Sequence, residues 1–188
     1  VRSRGLGDVY KRQTCDTLLL SVGLIPENEL SDKLGVQLHP VTGGPVVNES
    51  LETSIPGVFA CGNVLHVHDL VDFVSQEATM AGNCAAAYVK TGRTEETEEI
   101  PVKCGSGVRY TVPAKIRPAY MEEKLPVRFR VGQVYQKASI TVRSGDTVLL
   151  RKKRPIMAPG EMETVYIKKD SLSPDNIGND ITISVEEE

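Results

Sequence analysis

The sequence predicts an α/β region followed by a smaller antiparallel β region of sandwich type. Residues 14–92 contain a continuous apolar run and a helical pattern, whereas residues 109–188 contain short stretches in which apolar and polar residues alternate. A continuous run is typical of a strand covered on both faces, and alternation is typical of a half-buried strand. The charge also changes, from two basic against nine acidic residues in the first range to fourteen against eleven in the second.

The composition indicates an ordinary soluble globular protein with a cytoplasmic location. The 188 residues are 40% apolar and 25% charged, with a net charge of −3. Because a domain usually has roughly 100–200 residues, one or two domains are expected. No stretch approaches the roughly 20 consecutive apolar residues of a membrane helix. The basic run from Arg151 to Arg154 lacks interleaved aromatic residues, so we expect neither a membrane nor a nucleic acid as partner.

Two segments are predicted to lie outside the folded regions. Residues 1–13, VRSRGLGDVYKRQ, show no periodicity and resemble translated adapter sequence from metagenomic assemblies. We therefore expect them to be non-native, with Thr14 as the first native residue. Residues 93–108 open with a polar run that contains four glutamates and are predicted to be a linker. The predicted organisation is thus 1–13 non-native, 14–92 α/β, 93–108 linker and 109–188 β-rich.

The first region is predicted to begin with a strand and to continue through turns. DTLLLSVGL, residues 16–24, is the continuous apolar run, and it ends at Gly23 and Pro26. Glycine and proline pairs then predict a hairpin and a turn, at Gly43-Gly44 and at Pro56-Gly57.

A strand, a glycine and a helix come next. Val58 to Cys61 is predicted to be a short buried strand, and Gly62 follows it. Asp69 or Asp72 is the expected cap of a helix that runs to about Lys90. Its apolar or small residues follow spacing of three and four and are Val71, Val74, Ala78, Ala81, Ala85 and Tyr88.

The second region is predicted to consist of short strands. In the first clear one, Val127, Phe129 and Val131 share one face, and Arg128 and Arg130 share the other. Two further strands alternate in the same way, around Ile140 and Val142 and around Ile181, Ile183 and Val185. Turns are predicted between the strands at residues 144–146, 158–160 and 173–179.

The informative motif is TSIPGVFACGN, from Thr53 to Asn63, with the helix that follows it. It resembles the second flavin-binding signature of FAD/NAD(P) oxidoreductases with two dinucleotide-binding domains, the group that includes thioredoxin reductase and NADH oxidases. The likeness extends over about Thr14 to Val89. It implies that the α/β region is the end of a Rossmann-like FAD-binding domain.

The resemblance implies a set of cofactor-binding residues. Gly62 and Asn63 would border the ribityl and pyrophosphate part of FAD. Backbone N–H groups from Leu70, Val71, Asp72 and Phe73 would approach the pyrimidine edge of the flavin. The family usually has Asp at the position of Asn63. An asparagine can still accept a hydrogen bond through its side-chain carbonyl, but it carries no negative charge.

Several chemical motifs are absent from the sequence. No G-x-G-x-x-G fingerprint occurs, and four cysteines stand singly without a Cys-x-x-Cys pair. We therefore assign no catalytic residue to this chain and expect it to be inactive alone. The missing N-terminal part of the same polypeptide would complete the FAD site and supply the NAD(P)H site.

The resemblance implies that the parent protein transfers hydride from NAD(P)H to FAD and passes electrons to an unidentified acceptor. The string GVFACGNVLHVHDLVDFV also resembles flavin subunits that accompany glycerol 3-phosphate dehydrogenases, so an electron-accepting partner subunit is a further expectation. The alternative is a non-catalytic binding or assembly module that carries a degenerate α/β remnant. The Asn63 substitution and the absent fingerprint support that alternative.

His66 and His68 with Asp69 form a cluster of ligand type, for which three roles stay open. They could bind a metal ion, serve as polar or proton-handling groups beside the flavin, or be structural histidines with satisfied hydrogen bonds. We predict no metal site, because no third histidine except His39 is within reach.

Overall fold

The computed structural model describes residues 16–17, 19, 23–92, 97–172 and 178–187. In the first region the chain forms two helices, α1 (Glu29–Lys33) and α2 (Val71–Thr91). Between them, two isolated antiparallel bridges hold the backbone, one joining Leu38 to Pro45 and the other joining Glu52 to Phe59. The predicted turns at Gly43-Gly44 and Pro56-Gly57 lie inside these bridges and are confirmed.

Two expected strands of the first region have different outcomes. The stretch from Val58 to Cys61 is not a strand, because it pairs only through the single bridge at Phe59. Hydrogen bonds from the Thr53 N–H to Val58 O and from the Ala60 N–H to Leu51 O flank this bridge, but turns on both sides of residues 51–53 stop the pairing from extending into a ladder. The predicted strand at 16–24 lies largely outside the described residues.

The long helix α2 lies where the apolar spacing predicts it, but it begins differently. Its N-cap is Leu70, in extended conformation and without a side-chain hydrogen bond, so neither Asp69 nor Asp72 caps it. The helix ends at Gly92, whose φ of 79° suits glycine. In the described part of the chain, no helix is both long and apolar enough to cross a membrane.

Within its described residues, the second region contains eight strands arranged in two sheets. A five-stranded sheet has the order β3-β1-β8-β5-β6, and a three-stranded sheet has the order β2-β4-β7. The strands are β1 (Ile100–Cys104), β2 (Val108–Val112), β3 (Lys115–Ile116), β4 (Lys124–Val131), β5 (Tyr135–Ser144), β6 (Thr147–Met157), β7 (Glu163–Lys168) and β8 (Ile181–Glu187).

The β-rich region departs from the prediction in two respects. It is not wholly antiparallel, because β1 and β8 pair in parallel with Val102 opposite Ile181. The range 93–108 is also not a linker throughout, since β1 lies within it and belongs to the larger sheet. The strand β1 was not predicted, because its apolar and polar residues alternate weakly and it contains Pro101.

One apolar core joins the two sheets. Val127, Phe129 and Val131 of β4 are fully buried together with Ile140 of β5 and Ile181 of β8. The turns predicted at 144–146 and 158–160 connect β5 to β6 and β6 to β7. Most of the turn predicted at 173–179 lies outside the described residues.

Candidate functional site

The corner at Gly62 is a backbone reversal between an extended segment and a short 3₁₀ turn. Cys61 is extended, and Gly62 takes a φ of 70°, which a residue with a Cβ adopts only with strain. A Cβ at Gly62 would lie 3.4 Å from Cγ1 of Val74, so the neighbouring space is tight but not closed. Backbone conformation, more than lack of space, therefore requires glycine here.

The amino end of α2 is open. Leu70 provides no side-chain cap. The N–H of Phe73 donates to the backbone oxygen of Leu70 at 3.2 Å, so the first-turn donors without a capping side chain are those of Val71 and Asp72. Leu70, Val71 and Asp72 are exposed, whereas Phe73 is half-buried. The positive end of the helix dipole and its free donors therefore face outward.

The structure separates the predicted flavin-side residues into exposed and buried ones. Asn63 is exposed, and its Oδ1 already accepts a hydrogen bond from the backbone N–H of His68 at 3.1 Å. Gly62 is buried, and its N–H donates to Oε2 of Glu77 at 2.7 Å. The predicted contacts of these residues with FAD stay predictions.

Glu77 is the centre of a buried polar cluster beneath this corner. Its side chain is fully buried in the second turn of α2. Oε1 accepts from Nε2 of His66 at 3.1 Å and from Nη1 of Arg128 at 3.3 Å. Oε2 accepts from Nε2 of His68 at 2.9 Å as well as from Gly62. Four donors, three from residues 62–68 and one from β4, thus converge on one carboxylate.

The cluster fixes the charge of its members. Burial alone would raise the pKa of Glu77, but hydrogen bonds from His66 and His68 outweigh it and lower the pKa to about 2. Burial lowers the pKa of His66, although the carboxylate opposes this. Glu77 is therefore an anion at neutral pH, and His66 is neutral there. Arg128 supplies the compensating positive charge.

His66, His68 and Glu77 also have the composition of a metal site. One ligand atom from each lies within 4.8 Å of the others, and all three residues are buried. The surroundings favour hydrogen bonding instead, because the guanidinium of Arg128 contacts the same carboxylate and would repel a cation. The Nδ1 atoms of both histidines lack a partner among the described residues, whereas a histidine that binds metal through Nε2 needs an acceptor there.

Two arginines of β4 connect the β-rich region to this corner. Arg128 contacts Glu77, and its guanidinium carbon lies 5.6 Å from the centre of the Phe73 ring. Arg130 donates to the backbone oxygen of Val67 at 3.0 Å and pairs with Asp69. Simple alternation would imply that the face of β4 opposite Val127, Phe129 and Val131 is exposed to solvent. Instead, that face contacts the Gly62 corner.

Sequence reasoning missed Glu77, Arg128 and Arg130, although signals for them exist. Glu77 lies three residues after Val74 and four before Ala81, so helical spacing places a lone carboxylate on the apolar face of α2. The acidic excess of the first region and the basic excess of the second are complementary. Cross-region ion pairs are the structural counterpart of that asymmetry, and a third one joins Arg117 to Glu49 at 2.9 Å.

Comparison with known proteins agrees with the motif. Residues 5–95 match the family described as pyridine nucleotide-disulphide oxidoreductase. The match begins within the segment 1–13, so the prediction that this segment is non-native stays a prediction. The chain is also 38% identical over 79 residues to a ferredoxin–NADP reductase of Picrophilus torridus, and this alignment covers 39% of the chain.

The similarity to that relative is partial. The aligned part spans 24% of the relative, so this chain corresponds to about a quarter of its length. No solved structure matches the chain significantly. The family match covers the motif from Thr53 to Asn63, the corner at Gly62 and the whole of α2. This part of the chain is therefore similar to the pyridine nucleotide-disulphide oxidoreductase family.

Proposed function

We propose that this chain supplies one side of the FAD site in a flavin-dependent NAD(P)H oxidoreductase. The observation that carries the proposal is the open amino end of α2, which follows the Gly62 corner without a capping side chain. Such an end offers N–H donors and a positive dipole to an electron-rich ring edge. The similarity of residues 5–95 to the pyridine nucleotide-disulphide oxidoreductase family supports the same cofactor.

Four of the six predicted residues have a part in holding the flavin. Gly62 lets the backbone pass close to the ribityl and pyrophosphate part, while Val71 and Asp72 offer N–H groups to the pyrimidine edge. The Oδ1 of Asn63 retains acceptor capacity, because a carbonyl oxygen has two lone pairs and one is used by His68. When bound, FAD would accept hydride from NAD(P)H and pass electrons onward.

The rest of the FAD site and the NAD(P)H site belong, in this proposal, to sequence outside this chain. The absence of a G-x-G-x-x-G fingerprint and the small part of the Picrophilus relative that is matched support this division. Ferredoxin is the acceptor that the name of that relative suggests. A partner subunit of a glycerol 3-phosphate dehydrogenase is the other acceptor that we consider.

The proposal is tested by flavin content. We expect the protein, expressed from its gene with any upstream coding sequence, to purify with FAD and to be bleached by NADH or NADPH. Gly62→Ala should lower FAD affinity by about tenfold or more, because a residue in the left-handed region costs about 1–2 kcal/mol and the corner must shift to relieve it. Flavin absorbance after dialysis measures the affinity.

Gly43→Ala is the matched control. Gly43 has the same φ of 70°, and no atom lies within 4 Å of an added Cβ. An alanine at this position would therefore have the same backbone strain as an alanine at position 62, but away from the corner. The control should lose similar stability and keep its flavin. Equal flavin loss in both variants would contradict a role for Gly62. A wild-type protein without flavin would favour the binding or assembly alternative.

A further inference from the structure

The segment that leads into α2 is tied to the β-rich region by Arg130. Its Nη2 donates to the backbone oxygen of Val67 and to Oδ1 of Asp69, while Nη1 donates to the backbone oxygen of Pro159. Asp69 is held a second time, because its Oδ2 accepts the backbone N–H of Met162 at 2.6 Å. Residues just before the N-cap of α2 are thus fastened to β4 and to the β6–β7 turn.

Arg128 fastens the other side of the corner. It donates to Glu77, and the same carboxylate accepts the N–H of Gly62. Arg128 and Arg130 are two residues apart on β4, so they point from the same face of the strand. That face meets the Gly62 corner and the start of α2, while the opposite face of β4 lies in the apolar core.

We propose that Arg128 and Arg130 are positioning residues, through which the β-rich region fixes the Gly62 corner and the open end of α2 and so sets the affinity for flavin. The effect on flavin affinity rests on the proposed function. The mechanical part, that the two arginines restrain residues 62–73, does not depend on it.

The chemistry of arginine suits this role. A planar guanidinium can satisfy three acceptors at once, and these lie in two segments, with Val67 and Asp69 before α2 and Pro159 in the β6–β7 turn. The side chain of Arg130 is only 12% exposed, so its pairing with Asp69 is screened less than a surface ion pair. Lysine would retain the charge but lacks the planar fork that reaches all three acceptors.

The restraint is tested by amide hydrogen exchange on the full 188-residue chain without flavin. In Arg130→Lys we expect exchange at residues 62–73 to accelerate by about tenfold, because the segment loses charge-assisted hydrogen bonds. Arg154→Lys is the matched control, since Arg154 pairs with Glu163 at 2.8 Å inside the β-rich region. Exchange at residues 62–73 should be unchanged in that control.

The consequence for the cofactor is tested on the flavin-loaded protein. Arg130→Lys should weaken FAD binding by about tenfold and alter the visible absorption bands of the flavin, whereas Arg154→Lys should do neither. If Arg130→Lys does not fold, Asp69→Asn provides the same comparison, because it removes one charge and leaves the bonds of Arg130 to Val67 and Pro159 in place.

The outcomes separate the two proposals. Unchanged exchange at residues 62–73, or an equal change in the control, would overturn the restraint. Faster exchange with unaltered flavin affinity and spectrum would overturn the positioning role. A wild-type protein that binds no flavin would refute the proposed function, while the exchange experiment would still decide whether the arginines restrain the corner.

Discussion

The two regions of this protein are stabilised in different ways. The β-rich region has a core of nineteen buried apolar residues, all supplied by its own chain between Ile100 and Val185. Among the described residues, the buried cluster of the first region has seven, and two of them, Tyr110 and Val112, come from β2. Helix α2 has 21 residues, of which only Glu77 and Ala81 are buried.

This difference shows which interactions define the fold of each region. The β-rich region has the larger apolar core, and it also holds the buried Glu163 paired with Arg154. The first region relies on buried polar contacts with defined partners, such as Glu77 with Arg128 and Glu49 with Arg117. Buried ion pairs add little net stability, but they fix geometry, because any other arrangement leaves a charge unpaired.

The largest expected effect comes from truncating each core in turn. Phe129→Ala should destabilise the chain by about 3–5 kcal/mol and unfold both regions, because Phe129 is fully buried between the sheets. Leu65→Ala, at an equally buried position, should cost about 2–5 kcal/mol and unfold the first region only. Urea unfolding followed by region-resolved hydrogen exchange measures both effects. Loss of the β sheets in Leu65→Ala would show that the two regions are not distinct in stability.

An intermediate effect is expected from acid. The folded pKa of Glu77 is about 2, against 4.5 as its ordinary value, so its stabilisation is fully present above pH 4.5 and is lost as pH falls toward 2. That loss is about 3 kcal/mol. His66 contributes in the same direction, because its folded pKa is lowered and the unfolded chain takes up the proton as pH falls through 6.5. Unfolding free energies measured from pH 7 to pH 3 should therefore decrease for the first region.

Glu77→Gln isolates this contribution. It should cost about 3 kcal/mol at pH 7, because Arg128 loses its buried partner, and it should flatten the pH dependence below pH 4.5. Glu163→Gln is the control, as a buried carboxylate paired with Arg154 in the other region. If Glu77→Gln keeps the wild-type slope below pH 4.5, the carboxylate is not the group that titrates.

The smallest effect concerns the open helix end. Leu70→Ser should stabilise the protein by about 0.5–1 kcal/mol, because a serine at an extended N-cap can accept from the free N–H groups of α2. The same substitution should weaken flavin binding, since those donors would no longer be free. Thermal unfolding and flavin titration on one preparation measure both. A gain in stability without loss of flavin would show that the helix end does not contact the cofactor.

The sequence predicted regular elements better than it predicted contacts between them. Helix α2 and the strands around Phe129, Ile140 and Ile183 follow from periodicity, because each buries one face. The parallel pairing of β1 with β8 could not be read, since it joins residues that are about 80 positions apart in sequence. The absence of a strand at Val58 to Cys61 also depends on its neighbours.

The candidate site was predictable only where the backbone determines it. Gly62 could be named because a turn glycine has a local signature, whereas the residues at the start of α2 were named from the resemblance and the predicted caps Asp69 and Asp72 were wrong. Asn63 was named, but its bond to the His68 N–H depends on the turn geometry. Glu77 and its arginine partners meet only in three dimensions, and a charged residue in a helical pattern usually faces water.

The contribution of β2 to the smaller core has a consequence for how the chain divides. Tyr110 and Val112 pack with Val47, Leu51 and Leu65. Part of the buried cluster of the first region is therefore supplied by residues that follow Gly92 in the sequence. A single peptide bond cleaved between Gly92 and Ile100 would give two fragments that remain associated, because each would hold part of the same hydrophobic cluster. A shared interior thus links the two regions independently of their covalent connection.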